Sequence, residues 1–241
     1  HGPGVFLRPP AWEVTVMVRG IVFDFDGVLV ESGEVKTEAF AHLFKAEPAE
    51  VVARVVRYHE QHGGICRFEK FRVIYREILQ RPLSEEAFRR LCEAFSGLVV
   101  DEIVAAPWVP GAEEFLRRHH QGRYTFFIVS GTPQQELRGI IRRRGMAHFF
   151  AEVLGAPETK ARLLSGLLRR HALRRHEVVF VGDAQTDWLA ARQCGVRFVR
   201  RMSGPSSAFS GFAGPTISSL MELEECLAGL AGAEASPAHA S

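Results

Sequence analysis

The feature that most constrains this chain is an apolar run that ends in two carboxylates and a glycine. Residues 21–28 read IVFDFDGV, so a stretch suited to a buried strand is followed at once by Asp24 and Asp26. Parallel strands are buried on both faces, and ligands bind beyond their carboxyl ends. The two-residue spacing turns both carboxylates to one side and Phe25 to the other, into the core. Two like charges held this close need a cation, and a divalent metal ion is the obvious candidate.

Three further segments place polar residues at predicted strand ends or ahead of a helix. A second apolar strand, residues 124–129, leads into residues 130–133 (SGTP), and a third, residues 177–181, leads into residues 182–187 (GDAQTD). Lys160 stands just ahead of an amphipathic helix. Each signal has an ordinary explanation by itself, such as helix capping or surface charge. Their combination is hard to obtain by chance and predicts a catalytic site.

Helix and strand patterns alternate from about residue 107 to residue 200, which predicts an α/β fold with a Rossmann-like, doubly wound parallel sheet. Residues 33–106 lie between the first and second strands, and their apolar residues recur at helical spacing throughout. We therefore expect an inserted α-helical bundle, whose fourth helix has Ser84 as its N-cap residue. This segment, residues 33–106, is here named the cap.

The predicted domain organisation follows from these boundaries. The α/β core comprises residues 17–32 and 107–230, interrupted by the cap. Residues 1–16 are Pro-rich, which does not predict regular structure, and they precede Met17; they are predicted to be an N-terminal extension or an early-called start. Residues 231–241 are predicted to be a flexible tail.

Composition excludes several classes of function. The chain has 30 Lys and Arg against 28 Asp and Glu, interspersed along the predicted helices, so no nucleic-acid footprint is present. The basic run at 142–144 is expected to end a helix before Gly145.

The 4 cysteines are far apart, which favours a reducing cytosol without disulfides. No stretch resembles a membrane span or a secretory signal, so a cytoplasmic protein without a membrane partner is expected. Four histidines lack metal-ligand spacing and are expected on solvated helix surfaces: His59, His62, His119 and His120.

An Asp-x-Asp strand end, a Ser strand end, an isolated Lys and a Gly-Asp-x-x-x-Asp strand end, in this order, resemble the four motifs of the haloacid dehalogenase superfamily. The resemblance covers roughly residues 19–228. The cap resembles that of the branch containing phosphoglycolate phosphatases and β-phosphoglucomutases. The resemblance implies a magnesium-dependent phosphatase that hydrolyses a small phosphorylated metabolite through an aspartyl-phosphate intermediate. That metabolite is the expected partner, and the protein is expected to be a monomer or a weak homodimer.

The resemblance also implies a role for each motif residue. Asp24 is the expected nucleophile, and Asp26 is the expected general acid and then general base. Ser130 and Gly131 are expected to bind phosphate oxygens, helped by backbone amides at the start of the next helix. Lys160 is expected to neutralise the nucleophile and the transferring phosphoryl group.

The cofactor that the resemblance implies is Mg²⁺, which prefers oxygen ligands. Asp24, the backbone carbonyl of Asp26 and Asp183 are the expected direct ligands. Asp187 either binds the metal, directly or through water, or orients Lys160. A further possibility for Asp187 is simple stabilisation of a helix N-terminus.

Three positions keep a structural explanation beside a functional one. Thr132 precedes Pro133 and suits the N-cap position of the next helix, which is the interpretation we favour for it. In the cap, a glycine pair at 63–64 breaks the helical pattern shortly before Arg67 and Lys70. These two residues either bind an anionic group on the leaving portion of the substrate or are the solvated ends of a plain turn.

Alternative functions remain open from the sequence. A sugar-phosphate mutase of the β-phosphoglucomutase kind shares all four motifs. A phosphonate-cleaving relative would need a cap lysine as a Schiff base, and Lys36, Lys45 and Lys70 are the cap lysines. A non-catalytic binding protein would be expected to have lost a catalytic residue, and none is missing. Asp26 argues against carbon-halogen cleavage, because dehalogenases of this superfamily lack the second acidic residue.

Overall fold

The computed structural model describes residues 17–202 and 211–232. The predicted N-terminal extension, residues 1–16, lies outside the described residues, as do residues 233–241 of the predicted tail. The last described helix ends at Gly232, two residues into that predicted tail.

The core contains a six-stranded sheet in the order β3-β2-β1-β4-β5-β6, and every strand pair is parallel. The strands are β1 (Gly20–Phe23), β2 (Thr125–Pro133), β3 (Phe150–Ala156), β4 (Val178–Gly182), β5 (Arg197–Arg201) and β6 (Thr216–Ile217). The order runs outwards in both directions from β1, which confirms the predicted doubly wound α/β fold. Strand β1, which carries the first motif, is therefore central.

Alternate residues of the strands enter two separate hydrophobic clusters, one on each face of the sheet. Ile21 and Phe23 of β1 pack in one cluster, and Val22 packs in the other. Such two-sided burial explains why the strand sequences are continuously apolar. Helices cover both faces: α5 (Ala112–His119), α6 (Gln134–Arg143) and α9 (Leu223–Gly232) on one, α7 (Lys160–Arg170) and α8 (Gln185–Cys194) on the other.

The cap is helical, as expected. It contains α1 (Gly33–Leu43), α2 (Ala49–Gln61), α3 (Arg67–Val73) and α4 (Glu85–Ala105). The hydroxyl of Ser84 accepts a hydrogen bond from the amide of Ala87 at 3.2 Å, which confirms the predicted N-cap residue. Helix α3 does not continue with α geometry, because it is followed directly by a π-helix, Ile74–Leu79, whose C-cap residue Gln80 has φ 53°. The division into two domains stays a prediction.

The residue that follows α6 connects the core to the cap. Helix α6 ends at Arg143, before Gly145 with φ 68°, as the basic run predicts. Arg144 does more than complement the helix end, because its guanidinium donates to the carbonyls of Ile103, Val104 and Ala106 at 2.7–2.9 Å. The C-terminus of α4 is thereby fixed to the core.

Among the described helices, none combines the length and the apolar character needed to cross a membrane.

Candidate active site

Three predicted site residues meet at one edge of the sheet because the central strands are in register. Phe23, the last residue of β1, lies opposite Ile128 of β2 and Val181 of β4. Asp24 follows the end of β1, Ser130 lies in β2, and Asp183 follows the end of β4. The carboxyl ends of parallel strands therefore bring the motifs together, as the strand-end pattern predicts.

Lys160 lies at the centre of this group. It is the first residue of α7, whose N-cap residue Thr159 accepts a hydrogen bond from Arg162. The Lys160 ammonium is buried and donates to Asp24 Oδ2 at 2.8 Å and to Asp187 Oδ1 at 2.6 Å. Lys160 is therefore part of the site and not a solvated surface lysine.

Asp187 is fully buried, and both of its carboxylate oxygens are engaged. Besides accepting from Lys160, it accepts from the amide of Ala184 at 3.1 Å, at the start of α8. It thus stabilises the helix N-terminus and orients Lys160 at the same time, two of the possibilities that the sequence leaves open. Gly182 is required here, because a Cβ atom there would lie 2.4 Å from Asp187 Cβ.

The charge of this cluster is negative. Asp24, Asp183 and Asp187 each present a carboxylate oxygen within 4.8 Å of the others, and Lys160 supplies one positive charge. Burial alone would lower the pKa of Lys160, but Asp187 and Asp24 outweigh it and raise that pKa. Burial, together with Asp24 and Asp183, raises the pKa of Asp187 to about 8 in spite of Lys160. Oxygen donors with surplus negative charge fit a hard divalent cation such as Mg²⁺.

Asp26 is held by three donors. Its Oδ1 accepts from the Ser32 hydroxyl at 2.6 Å, and its Oδ2 accepts from the Thr132 hydroxyl at 2.9 Å and from the Lys36 ammonium. Burial acts to raise the pKa of Asp26, but Lys36, Ser32 and Thr132 outweigh it and lower that pKa. Asp26 is thus held as a carboxylate in this arrangement.

The prediction that Thr132 is an N-cap residue is wrong. Strand β2 continues to Pro133, which occupies the N-cap position of α6 without a side-chain hydrogen bond. The Thr132 hydroxyl is directed to Asp26 instead, and its own amide donates to Ser130 Oγ at 3.1 Å. The Thr-Pro pair predicts an N-cap from local sequence alone, but a charge-assisted hydrogen bond to the Asp26 carboxylate takes the Thr132 hydroxyl instead.

Lys36 was missed as a site residue by sequence reasoning, which considered it only as a Schiff-base candidate. It lies in the first turns of α1, and its ammonium also donates to Thr132 Oγ1 at 3.1 Å. The only sequence signal is a lysine one turn into the helix that follows the first motif. Such a lysine normally lies in solvent, so the signal is weak.

The glycine pair of the cap lies directly over the site. Thr186 Oγ1 donates to the carbonyl of Gly63 at 3.2 Å, and a Cβ atom on Gly131 would lie 2.5 Å from the carbonyl oxygen of Gly64. A Cβ atom on Gly64 would lie 3.2 Å from Lys160 Nζ. Glycine is therefore needed on both sides of this contact, which brings cap backbone next to catalytic side chains.

Arg67 is engaged between the cap and the core. Its guanidinium donates to Glu136 of α6 and, at 3.0 Å, to Ser96 of α4, and Ser96 also donates to Glu136 at 2.6 Å. The carbon of the guanidinium lies 4.6 Å from the Phe95 ring centroid. Arg67 is therefore neither a solvated turn residue nor a free cation for substrate.

Lys70 is also buried, but its partners are neutral. Its ammonium lies 2.9 Å from His59 Nδ1 and 3.1 Å from the His59 carbonyl oxygen. The His59 ring stacks on Phe40 at 4.5 Å between centroids. The expectation that His59 lies on a solvated surface is wrong: burial, with Lys70 and Lys36 nearby, lowers its pKa to about 3.

The sequence of this chain is similar to those of known proteins. Residues 21–200 match the model of the haloacid dehalogenase-like hydrolase family. The phosphoglycolate phosphatase of Vibrio vulnificus is 32% identical over 91 residues, which cover 36% of this chain and 40% of that protein. The chain thus spans about 40% of the length of the first curated relatives that it matches. The phosphoglycolate phosphatase of Synechococcus elongatus is 29% identical over 184 residues, 74% of this chain and 81% of that protein.

Solved structures share the fold. A predicted phosphoglycolate phosphatase from Haemophilus somnus has a TM-score of 0.67 at 20% identity, with 86% of this chain and 97% of that chain covered. A β-phosphoglucomutase from Clostridium difficile has a TM-score of 0.69 at 17% identity, with 88% and 98% covered. At such identities a common fold does not separate a phosphatase from a mutase. The family model, however, spans more than half of the sequence and contains the strand ends and Lys160 that form the site. The chain belongs to the haloacid dehalogenase-like hydrolase family.

Proposed function

We propose that this protein is a magnesium-dependent phosphatase that hydrolyses a small phosphorylated metabolite through an aspartyl-phosphate on Asp24. The observation that carries the proposal is the buried Lys160 ammonium shared by Asp24 and Asp187. A lysine in this position withdraws charge from the nucleophile and keeps it oriented, which favours the approach of an anionic phosphoryl group. Phosphoryl transfer depends chiefly on such positioning and charge stabilisation.

In the first step a carboxylate oxygen of Asp24 attacks phosphorus, and the bond between phosphorus and the leaving oxygen breaks. Asp26 enters this step with the proton that it took from water in the preceding turnover and gives it to the leaving oxygen, which departs as an alcohol. The carboxylate form described above is the one that follows this transfer. Asp26 lies two residues from the nucleophile and is held by Ser32, Lys36 and Thr132, so its carboxyl has a fixed direction. Fixed orientation of an acid is what makes proton donation efficient.

In the second step water attacks the phosphorus of the aspartyl-phosphate. Asp26, now a carboxylate, accepts a proton from that water, and the bond between Asp24 and phosphorus breaks. The products are inorganic phosphate and regenerated Asp24, so protons balance over the two steps. The donors that lower the pKa of Asp26 favour the carboxylate needed here.

The phosphate oxygens are held by Ser130 and Gly131 in this proposal. Ser130 is buried, and its oxygen accepts from the Thr132 amide, which leaves the hydroxyl proton for a ligand. Gly131 contributes its backbone amide at the place where the cap touches the core. The cap excludes water from the reacting group while it rests on the site.

Mg²⁺ would be held by Asp24, the backbone carbonyl of Asp26 and Asp183. When bound, it supplies positive charge that stabilises the transferring phosphoryl group. Asp187 acts mainly by orienting Lys160, because its two oxygens accept from Lys160 and from Ala184.

The test is phosphate release with Mg²⁺ from a panel of phosphorylated acids, sugars and nucleotides, with Asp24→Asn beside the wild type. We expect release by the wild type and a loss of more than about 1000-fold in the variant, because removal of a nucleophile eliminates the covalent route. Asp101→Asn, at an exposed carboxylate of α4, is the matched control and should retain activity. Isomerisation of a sugar phosphate without phosphate release would replace the proposal with a mutase, and magnesium binding without any turnover would favour a binding protein.

A further inference from the structure

Arg201, the last residue of β5, is a buried cation to which the proposed mechanism gives no part. It lies at the same edge of the sheet as the site, because its neighbour Arg200 is in register with Gly182 of β4. The Arg201 guanidinium donates to the carbonyl of Gly27 at 2.9 Å and to the two carboxylate oxygens of Glu31 at 2.5 and 3.2 Å. One side chain therefore holds two points of the turn that follows β1.

The residues that Arg201 holds are the chain neighbours of Asp26 and of one of its hydrogen-bond donors. Gly27 follows Asp26 directly. Glu31 directly precedes Ser32, whose hydroxyl donates to Asp26 Oδ1 at 2.6 Å. The guanidinium thus fixes the backbone beside Asp26 and, through Glu31, the position of a donor that directs the Asp26 carboxyl.

The same turn lies between the acidic cluster of the site and the base of the cap. A Cβ atom on Gly27 would collide with Asp183 Oδ2. The amide of Glu31 donates to the carbonyl of Pro107 at 3.0 Å, so the segments that enter and leave the cap are joined here. A shift of this turn would therefore move Asp26 relative to the rest of the site.

The contact suits arginine, and its loss leaves no buried unpaired charge. A bidentate pair with a carboxylate, together with a third hydrogen bond, uses the planar fork of a guanidinium. Side-chain exposure is 7% for Arg201 but 36% for Glu31. Without the guanidinium the Glu31 carboxylate can be solvated, so a variant that lacks it should fold.

We propose that Arg201 is a positioning residue for Asp26, which acts by holding Gly27 and Glu31 and not by contact with substrate. The inference rests on the proposed phosphatase function, in which Asp26 gives the catalytic proton to the leaving oxygen. Misplacement of a catalytic group by about 1 Å costs about 100-fold in rate. A leaving group that departs without a proton is insensitive to the direction of the acid.

The experiment compares three esters on the full chain with Mg²⁺: propyl phosphate, 2-phosphoglycolate and p-nitrophenyl phosphate. The first two leave as alcohols, and p-nitrophenolate leaves without a proton. The measured quantity is kcat/KM, which reports the steps up to departure of the leaving group and excludes the later attack of water. In Arg201→Met we expect a fall of about 10- to 100-fold for both alkyl esters, and of less than about threefold for p-nitrophenyl phosphate.

Two further variants separate positioning from general damage to the fold. Arg201→Lys keeps the charge but lacks the fork that reaches both residues, so a smaller loss, at least about threefold, is expected for the alkyl esters only. Arg197→Met is the matched control. Arg197 lies at the other end of β5, and its guanidinium likewise donates to backbone carbonyls, those of His176 and, at 3.2 Å, Leu230. Its removal should lower the urea concentration at the midpoint of unfolding and leave the ratios of the three kcat/KM values unchanged.

Equal losses for all three esters in the Arg201 variants, or no loss for any, would overturn the positioning role and leave the phosphatase intact. A loss for 2-phosphoglycolate alone would overturn it too, because Arg201 would then bind the carboxylate of the substrate. If circular dichroism shows that Arg201→Met does not fold, Arg201→Lys decides by the same criteria. Failure of the wild type to release phosphate from all three esters would instead overturn the proposed function, and the inference with it.

Discussion

Lys36 donates a hydrogen bond to the carboxylate of Asp26 and thereby joins the first helix of the cap to the loop that follows β1. The same carboxylate oxygen accepts from Thr132, which belongs to the core. Asp26 is therefore oriented by the cap and the core together. A change in cap position would alter the direction of the group proposed to donate and accept the catalytic proton.

Lys36→Met should lower kcat more for alkyl phosphates than for p-nitrophenyl phosphate. Without Lys36, Asp26 loses a donor and its fixed direction, so we expect at least about a tenfold loss of kcat for alkyl phosphates, part of what a general acid supplies. For p-nitrophenyl phosphate the loss should be much smaller, because p-nitrophenolate leaves without a proton. Steady-state kinetics on both esters measure the difference, with Lys45→Met as the control. Equal losses for both substrates would indicate a structural role only.

Thr132→Val tests the corrected assignment of Thr132. The hydroxyl helps to lower the pKa of Asp26, so its removal should raise that pKa. In a plot of kcat against pH, the rise on the acidic side should then move to higher pH. The reason is that Asp26 must be a carboxylate to accept a proton from water in the second step. Thr132→Ser retains the hydroxyl and should retain the profile. An unchanged profile in Thr132→Val, with a stability loss of about 1 kcal/mol, would restore the N-cap assignment.

The strand-end part of the site could be predicted from sequence because the fold imposes it. Asp24 and Asp183 follow apolar strands, and Ser130 follows the apolar part of β2 although the strand itself continues to Pro133. Parallel register brings these positions together. The order of motifs identified Lys160, but no periodicity required its contact with Asp187. Sequence patterns indicate which residues share a face of a strand or helix. The role of Lys160 came from the resemblance to the family.

The contacts between cap and core could not be predicted. Arg67 with Glu136, and Lys36 with Asp26, depend on how two separately patterned segments pack on each other. A helical pattern gives no distance between residues far apart in sequence. His59 was likewise assigned to solvent, because its burial requires Phe40 of another helix.

Gly64→Ala should displace the cap from the site. Gly64 has φ 75°, and a Cβ atom there would lie 2.0 Å from Thr186 Oγ1 and 3.0 Å from Ala184 Cβ. The left-handed backbone costs about 1–2 kcal/mol for a residue other than glycine, and the collision adds to this. If substrate binds with the cap resting on the site, this cost opposes substrate binding. We therefore expect a several-fold rise in KM for p-nitrophenyl phosphate. Gly97→Ala, in open space on α4, is the control and should stabilise the protein by about 0.5–1 kcal/mol. An unchanged KM in Gly64→Ala would mean that substrate binding does not require this contact.

Lys70 should make the stability of the protein depend on pH. Burial, with the positive charge of Lys36 nearby, lowers the pKa of Lys70 from 10.5 to about 7 in the folded protein. Between these values the unfolded chain therefore binds a proton that the folded protein does not. Stability therefore rises with pH across this window, and the buried charge destabilises the folded protein most below pH 7. Lys70→Met removes this titration. The variant should accordingly be more stable than the wild type at pH 6.5, by on the order of a few kcal/mol, and this gain should shrink by pH 9.5.

Urea unfolding of both proteins at pH 6.5 and 9.5 measures the change, and the difference between them cancels the titration of other groups. Lys45→Met should give a difference from wild type that does not vary with pH, because Lys45 is exposed. A pH-independent difference for Lys70→Met would show that the ammonium stays charged in the folded protein over this range.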